Sequence, residues 1–77
     1  MQTLHEERGY AFRFRSSDAP EPPHVHVEGN GGAAKFWLPD VELASSRGYT
    51  RRQLEVISTI LREHEDEFLD RWHEFFG

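Results

Sequence analysis

His24-Val25-His26-Val27-Glu28, then Gly29-Asn30-Gly31-Gly32, then Ala33-Ala34-Lys35-Phe36-Trp37-Leu38: this stretch decides the fold. Its first block alternates, with the valines on one side and His24, His26 and Glu28 on the other, the period of a strand with one buried face. Glycine and asparagine tolerate the positive φ that a tight turn requires, so the chain reverses at Gly29 to Gly32. The return block alternates too, with Ala34, Phe36 and Leu38 on one face and Lys35 and Trp37 on the other. The spacing predicts an antiparallel hairpin, apolar on one side and polar on the other.

Upstream, Tyr10, Phe12 and Phe14 alternate with Ala11, Arg13 and Arg15, giving another strand that is aromatic inside and cationic outside. Ser16 to Pro23 joins it to the hairpin and holds three of the four prolines, which cannot donate to a ladder; this is a connecting loop. Met1 to Arg8 is polar without a period and reads as a loose lead-in. Downstream, Pro39-Asp40 turns the chain, and Val41-Glu42-Leu43-Ala44 reads as a short strand with Val41 and Leu43 inward.

The helix start is the sharpest local signal. In Thr50-Arg51-Arg52-Gln53 the threonine hydroxyl can cap the Gln53 amide while the glutamine side chain reaches back to the Thr50 amide. Tyr49 and Leu54 stand at the spacing of a hydrophobic staple. Leu54, Ile57, Leu61, His64, Phe68, Trp72 and Phe75 then recur at intervals of three and four with no Pro or Gly before Gly77, so a single amphipathic helix of about 40 Å is expected. The fold class is α+β: a small antiparallel sheet of three or four strands packed on one long C-terminal helix. It forms a single domain, with the lead-in at residues 1–8, the sheet at 9–46 and the helix at 50–76.

The chain has 77 residues, room for one domain and one site or partner surface. Six Phe, two Tyr and two Trp are too many for a disordered chain, despite a charged content of 30%. A net charge of −5 argues against bulk DNA binding or a membrane-surface role, yet much of the acid sits in the second half of the helix and leaves the sheet face locally basic. Without cysteine there is no disulfide, no thiolate zinc cage and no thiol nucleophile. Apolar runs are too short for a membrane span or a signal-peptide core, so the expected location is the cytoplasm.

The outer sheet face gathers Arg13, Arg15, His24, His26, Glu28, Lys35 and Trp37, provided the strands pair in this register. Cleavage of RNA needs a proton acceptor, a proton donor and cations beside the phosphate; His24 and His26 are the catalytic candidates, with Arg13, Arg15 and Lys35 as phosphate contacts and Trp37 as a base-stacking surface. Histidine titrates near neutrality, so both rings can exchange protons. The plainer account is that polar residues must occupy a solvated strand face. No cofactor is expected; the alternative is a metal held by His24 and His26 with Glu28, or Glu21, as third ligand, since histidine and carboxylate suit zinc, iron or manganese. A cupin is excluded by chain length and by the missing second motif, and a histidine-triad hydrolase by Glu28 where its third histidine would stand.

Charge on the helix opposes its dipole, with Arg51 and Arg52 in the first turn and Glu63, Glu65, Asp66, Glu67, Asp70 and Glu74 in the second half. Arg47, Arg51 and Arg52 are then candidates to serve a phosphate or an acidic partner, and the acidic half a basic one; the plainer account is a solvated helix face with local pairs such as Arg62 with Asp66 and Glu67 with Arg71. At the C-terminus Trp72, Phe75 and Phe76 span more than the apolar stripe and read as a surface for a partner, or as wrapping of the sheet edge.

Glu21-Pro22-Pro23-His24-Val25-His26-Val27, with Ala34-Lys35-Phe36-Trp37, Val41-Glu42-Leu43-Ala44 and Trp72-His73-Glu74-Phe75-Phe76, resembles domain-of-unknown-function family 4160, a family of small prokaryotic proteins, over Gly9 to Phe76. The resemblance implies a chain often encoded beside a second small protein, suspected to belong to toxin–antitoxin modules, with no established reaction. It directs attention to Glu21, Pro22, Pro23, His24, His26, Lys35 and Trp37 without assigning roles. The expectation is therefore a toxin–antitoxin component whose His/Arg/Lys face contacts RNA or another phosphate-bearing target, as a homodimer or in complex with a small protein encoded nearby. A non-enzymatic protein-binding module, antitoxin or regulatory subunit, is the competing class, and a metal-binding enzyme the third.

Overall fold

The computed structural model describes residues 3–77. Five strands, β1 (Thr3–Glu7), β2 (Tyr10–Arg13), β3 (His24–Gly29), β4 (Gly32–Trp37) and β5 (Glu42–Arg47), form one antiparallel sheet in the order β1-β2-β3-β4-β5. Two helices follow, α1 (Arg51–Glu63) and α2 (Glu65–Phe76), and a short 3-10 turn, Ser16–Asp18, lies between β2 and β3. The α+β class holds, with five strands where three or four were expected. Among the described residues, no helix is long and apolar enough to cross a membrane.

The additional strand comes from the segment expected to be a loose lead-in. Thr3–Glu7 pairs with β2, while Met1 and Gln2 lie outside the described residues. What makes this strand is the Arg8-Gly9 turn: both residues have positive φ, 56° and 86°, the pairing that a two-residue hairpin loop needs. The β3–β4 hairpin turns through Asn30 and Gly31 in the same way, at 50° and 87°. The two turns are tied together, the Asn30 side-chain amide donating to the Arg8 carbonyl at 2.9 Å.

The inner face is as the alternation predicts. Tyr10, Phe12, Phe14, Val25, Val27, Ala34, Phe36 and Leu38 are all buried, against Ile57, Ile60 and Leu61 of α1 and Phe68 and Trp72 of α2. Each fully buried large side chain contributes about 1.5–3 kcal/mol. Val41 is also buried, but it precedes β5, and Leu43, opposite the buried Phe36, faces inward yet stays 47% exposed. It stands on a border strand, beside Arg51 and Leu54 of α1, where one side of the sheet is left open.

The capping box forms at Thr50: its hydroxyl accepts the Gln53 N–H at 3.1 Å and the Gln53 side chain accepts the Thr50 N–H at 2.9 Å. Tyr49 and Leu54 both pack on the core, as the staple requires. The single long helix is corrected to two, α1 and α2, which meet at His64. The chain breaks direction at His64, φ −116° and ψ 13°, whose N–H is shared between the Ile60 and Leu61 carbonyls at 3.2 Å each. The bend lets Phe68 reach Phe12, at 5.9 Å between ring centroids, and Trp72 reach Phe14, at 5.1 Å.

Candidate functional site

The register of the sheet decides which outer residues meet. Arg13 of β2 stands opposite His26 of β3, and His26 opposite Lys35 of β4, so the three form one cross-strand row that continues to Ser45 of β5. Ala11, Glu28, Ala33 and Arg47 form the next row, and His24, Trp37 and Glu42 the row on the other side. The set expected on the outer face is thus brought together by β2, β3 and β4. Arg15 joins from the end of β2, and its guanidinium lies 3.9 Å from Glu28.

Sequence reasoning missed Asp18, the residue on which both histidines converge. Its Oδ1 lies 3.0 Å from Nε2 of His24 and 3.1 Å from Nε2 of His26, while its Oδ2 accepts the Arg15 backbone N–H at 2.8 Å. The last contact is the local signal that could have found it: an aspartate three residues after Arg15, folding back on the chain where the strand ends and the 3-10 turn begins. Asp18 is buried, as is His24, at 1% exposure. His24 is therefore not on a solvated face. Its ring is enclosed by Trp37 and Trp72, at centroid distances of 5.5 and 5.3 Å, and its Nδ1 is 2.9 Å from the Pro22 carbonyl oxygen.

Electrostatics follow from this burial. Desolvation works to raise the Asp18 carboxyl, but the Arg15 N–H and the His26 imidazole work against it and hold the group below its ordinary range, so Asp18 is a carboxylate. Burial pushes His26 down, against the opposing pull of Asp18, and favours the neutral ring. His26 keeps 12% exposure of its side chain and faces the open cleft.

Lys35, Arg13 and Arg15 on this face are already paired. Lys35 bonds to Glu21, which draws the glutamate below its ordinary value, and its ammonium lies 4.5 Å from the centre of the Trp37 ring. Arg13 lies 3.4 Å from Glu28, and its buried Nε has no hydrogen-bond partner among the described residues. Glu28 is accordingly a partner for arginines and not the third member of the histidine group; Asp18 takes that place. The face expected to be locally basic is nearly balanced, because Glu21 and Glu28 answer Lys35, Arg13 and Arg15. Beside His26 lies a shallow cleft of about 760 Å³, bordered by Arg15, Asp18, Lys35, Ser45, Ser46 and Arg47 among others.

The expected C-terminal partner surface divides. Trp72 is a core residue at 5% exposure, enclosed between Phe14 and His24, and Phe76 is half-buried against it, at 4.2 Å between centroids. Phe75 alone of the three remains open, at 50%.

A five-strand antiparallel meander backed by two helices, with an Asp–His–His group, two of its members buried, at the end of its central strand, defines the class of protein. The chain belongs to the family described as Domain of unknown function (DUF4160), whose model matches residues 9–73. Comparison with curated proteins and with solved structures finds no match.

Proposed function

We propose that this protein is the RNA-contacting member of a small two-protein module of the toxin–antitoxin kind, and that it binds rather than cleaves its target. The observation that carries this reading is the cross-strand row Arg13–His26–Lys35, flanked by Arg15 and Arg47 and bordering a cleft with serine hydroxyls. Exposed ion pairs such as Lys35 with Glu21 are weak in water, so a phosphate backbone can exchange for those carboxylates. Arg47 has no carboxylate within salt-bridge distance among the described residues and is the first available phosphate contact.

Burial of His24 favours binding over cleavage. A metal-free ribonuclease of the two-histidine type needs both rings at the scissile phosphate; His24, at 1% exposure and walled by two tryptophans, reaches no ligand in the cleft. Trp37 is likewise occupied by Lys35 on its ring, which favours backbone contacts over base stacking.

Fluorescence anisotropy with a labelled single-stranded RNA tests the reading. Affinity should fall with added salt, and Arg15→Gln/Arg47→Gln should weaken binding and flatten the log–log salt slope by about 0.7 for each phosphate that is no longer neutralised. Absence of salt-sensitive binding in the wild type, or an unchanged slope in the double variant, would remove it.

A further inference from the structure

We infer that Asp18, His24 and His26 form a binding site for a divalent transition-metal ion of the zinc, iron(II) or manganese class. This inference stands apart from RNA contact and rests on hydrogen-bond accounting around His24. The Pro22 carbonyl oxygen can only accept, so Nδ1 of His24, 2.9 Å away, carries the ring proton. Nε2 of the same ring is then an acceptor, yet it lies 3.0 Å from a carboxylate oxygen of Asp18. Two lone pairs facing each other in a buried site are repulsive. A cation must stand between them, and either a second proton or a metal ion would supply it.

The rest of the arrangement favours the metal. A second imidazole nitrogen, Nε2 of His26, converges on the same oxygen at 3.1 Å, and the three donor atoms all lie within 4.8 Å of one another. Ligand atoms about 2.1 Å from a metal stand about 3.0 Å apart at right angles and about 3.4 Å apart in a tetrahedral shell, and the two Asp18–imidazole separations, 3.0 and 3.1 Å, are close to the first of these. Two imidazoles with one carboxylate select a borderline transition ion over magnesium or calcium, which prefer all-oxygen surroundings.

The supporting contacts are also those of a metal centre. Ligating histidines commonly donate their other ring N–H to a backbone carbonyl, as His24 does to Pro22. Ligating carboxylates are held by a donor on their free oxygen, as Asp18 is by the Arg15 N–H. Trp37 and Trp72 fix the His24 ring from either side, so the ligands are pre-positioned. On the remaining side, Asp18 and His26 border the cleft, which leaves room for water or a ligand atom to complete the shell.

Protein purified without an affinity tag and stripped with a chelator should be titrated with cobalt(II) and zinc(II), following the cobalt visible absorption and the heat of zinc binding. One ion per chain is expected, with histidine-ligated cobalt bands displaced by zinc and a rise in the thermal midpoint. Asp18→Asn and His26→Gln should each weaken binding at least about 100-fold, with far-ultraviolet circular dichroism confirming that both variants fold. His5→Gln/His64→Gln removes the other His/carboxylate cluster, in which His5, Glu7 and His64 meet, and should leave binding unchanged. No stoichiometric binding in the wild type would overturn the proposal, as would binding that survives in Asp18→Asn and His26→Gln or is abolished with His5 and His64.

Discussion

The indole of Trp72 on α2 lies 5.3 Å from the imidazole of His24 on β3, ring centroid to ring centroid. This contact joins the C-terminal helix to the candidate site. The same indole meets Phe14 edge-on at 5.1 Å, so one side chain both closes the core and holds the buried histidine. Trp72→Ala should therefore cost about 3–5 kcal/mol, much of the stability of so small a domain, whereas Trp72→Phe should retain the fold. Urea denaturation measures both. A Trp72→Ala variant as stable as the wild type would mean that α2 is not docked as described.

Gly29 and Gly31 of the central hairpin should respond unequally to alanine. A Cβ on Gly29, at φ +120°, would collide with the Gly9 carbonyl of the neighbouring turn; one on Gly31, at φ +87°, would meet nothing within 4 Å. Gly31→Ala should cost only the left-handed backbone penalty of about 1–2 kcal/mol, while Gly29→Ala should lower the thermal midpoint much further. Equal midpoints would argue against the close packing of the β1–β2 and β3–β4 turns.

Alkaline pH should loosen the junction between sheet and helix. The Tyr49 hydroxyl donates to the Gly29 carbonyl at 2.8 Å, and burial, with Tyr10 and Glu28 nearby, raises its ionisation above the ordinary value of 10.0. The folded chain thus holds this proton more tightly than the unfolded chain. The stability it contributes is complete below pH 10 and is lost as pH rises through the folded value. Tyr49→Phe should cost about 0.5–1.5 kcal/mol at neutral pH and should blunt the alkaline decline; urea midpoints from pH 8 upward make the comparison.

Phe75 should matter more for association than for folding. At 50% exposure, edge-on to Phe14 and Phe76, its replacement by serine should cost about 1–1.5 kcal/mol while weakening any homodimer or complex with a small protein encoded nearby. Sedimentation velocity, alone and with that protein, reads the effect. A large loss of stability would place Phe75 with Trp72 in the core.

Much of this arrangement was legible because β-strand alternation is local. Phe12, Val27 and Phe36 could be assigned inward, and Arg13, His26 and Lys35 outward, from the period of two alone, and the structure sets those last three in one row. The residues that escaped depend on tertiary placement. Asp18 enters from a loop eight positions before His26, and no spacing rule ties a loop carboxylate to a strand face. The burial of His24 depends on Trp72, far along the chain, and that contact exists only because the helix bends at His64. Arg8-Gly9 turns as Asn30-Gly31 does, but arginine is a weak turn signal, so β1 passed as unstructured.

Both outermost pairings of the sheet, β1 with β2 and β4 with β5, carry a register shift, between Thr3 and His5 and between Lys35 and Phe36. Such irregularities twist a border strand away from the flat form that templates another chain. The sheet is therefore guarded against open-ended growth at either border, and assembly by strand addition is disfavoured. A natural companion has to be recognised by side chains, on the helices or across the outer sheet face, a constraint that any search for it can apply from the outset.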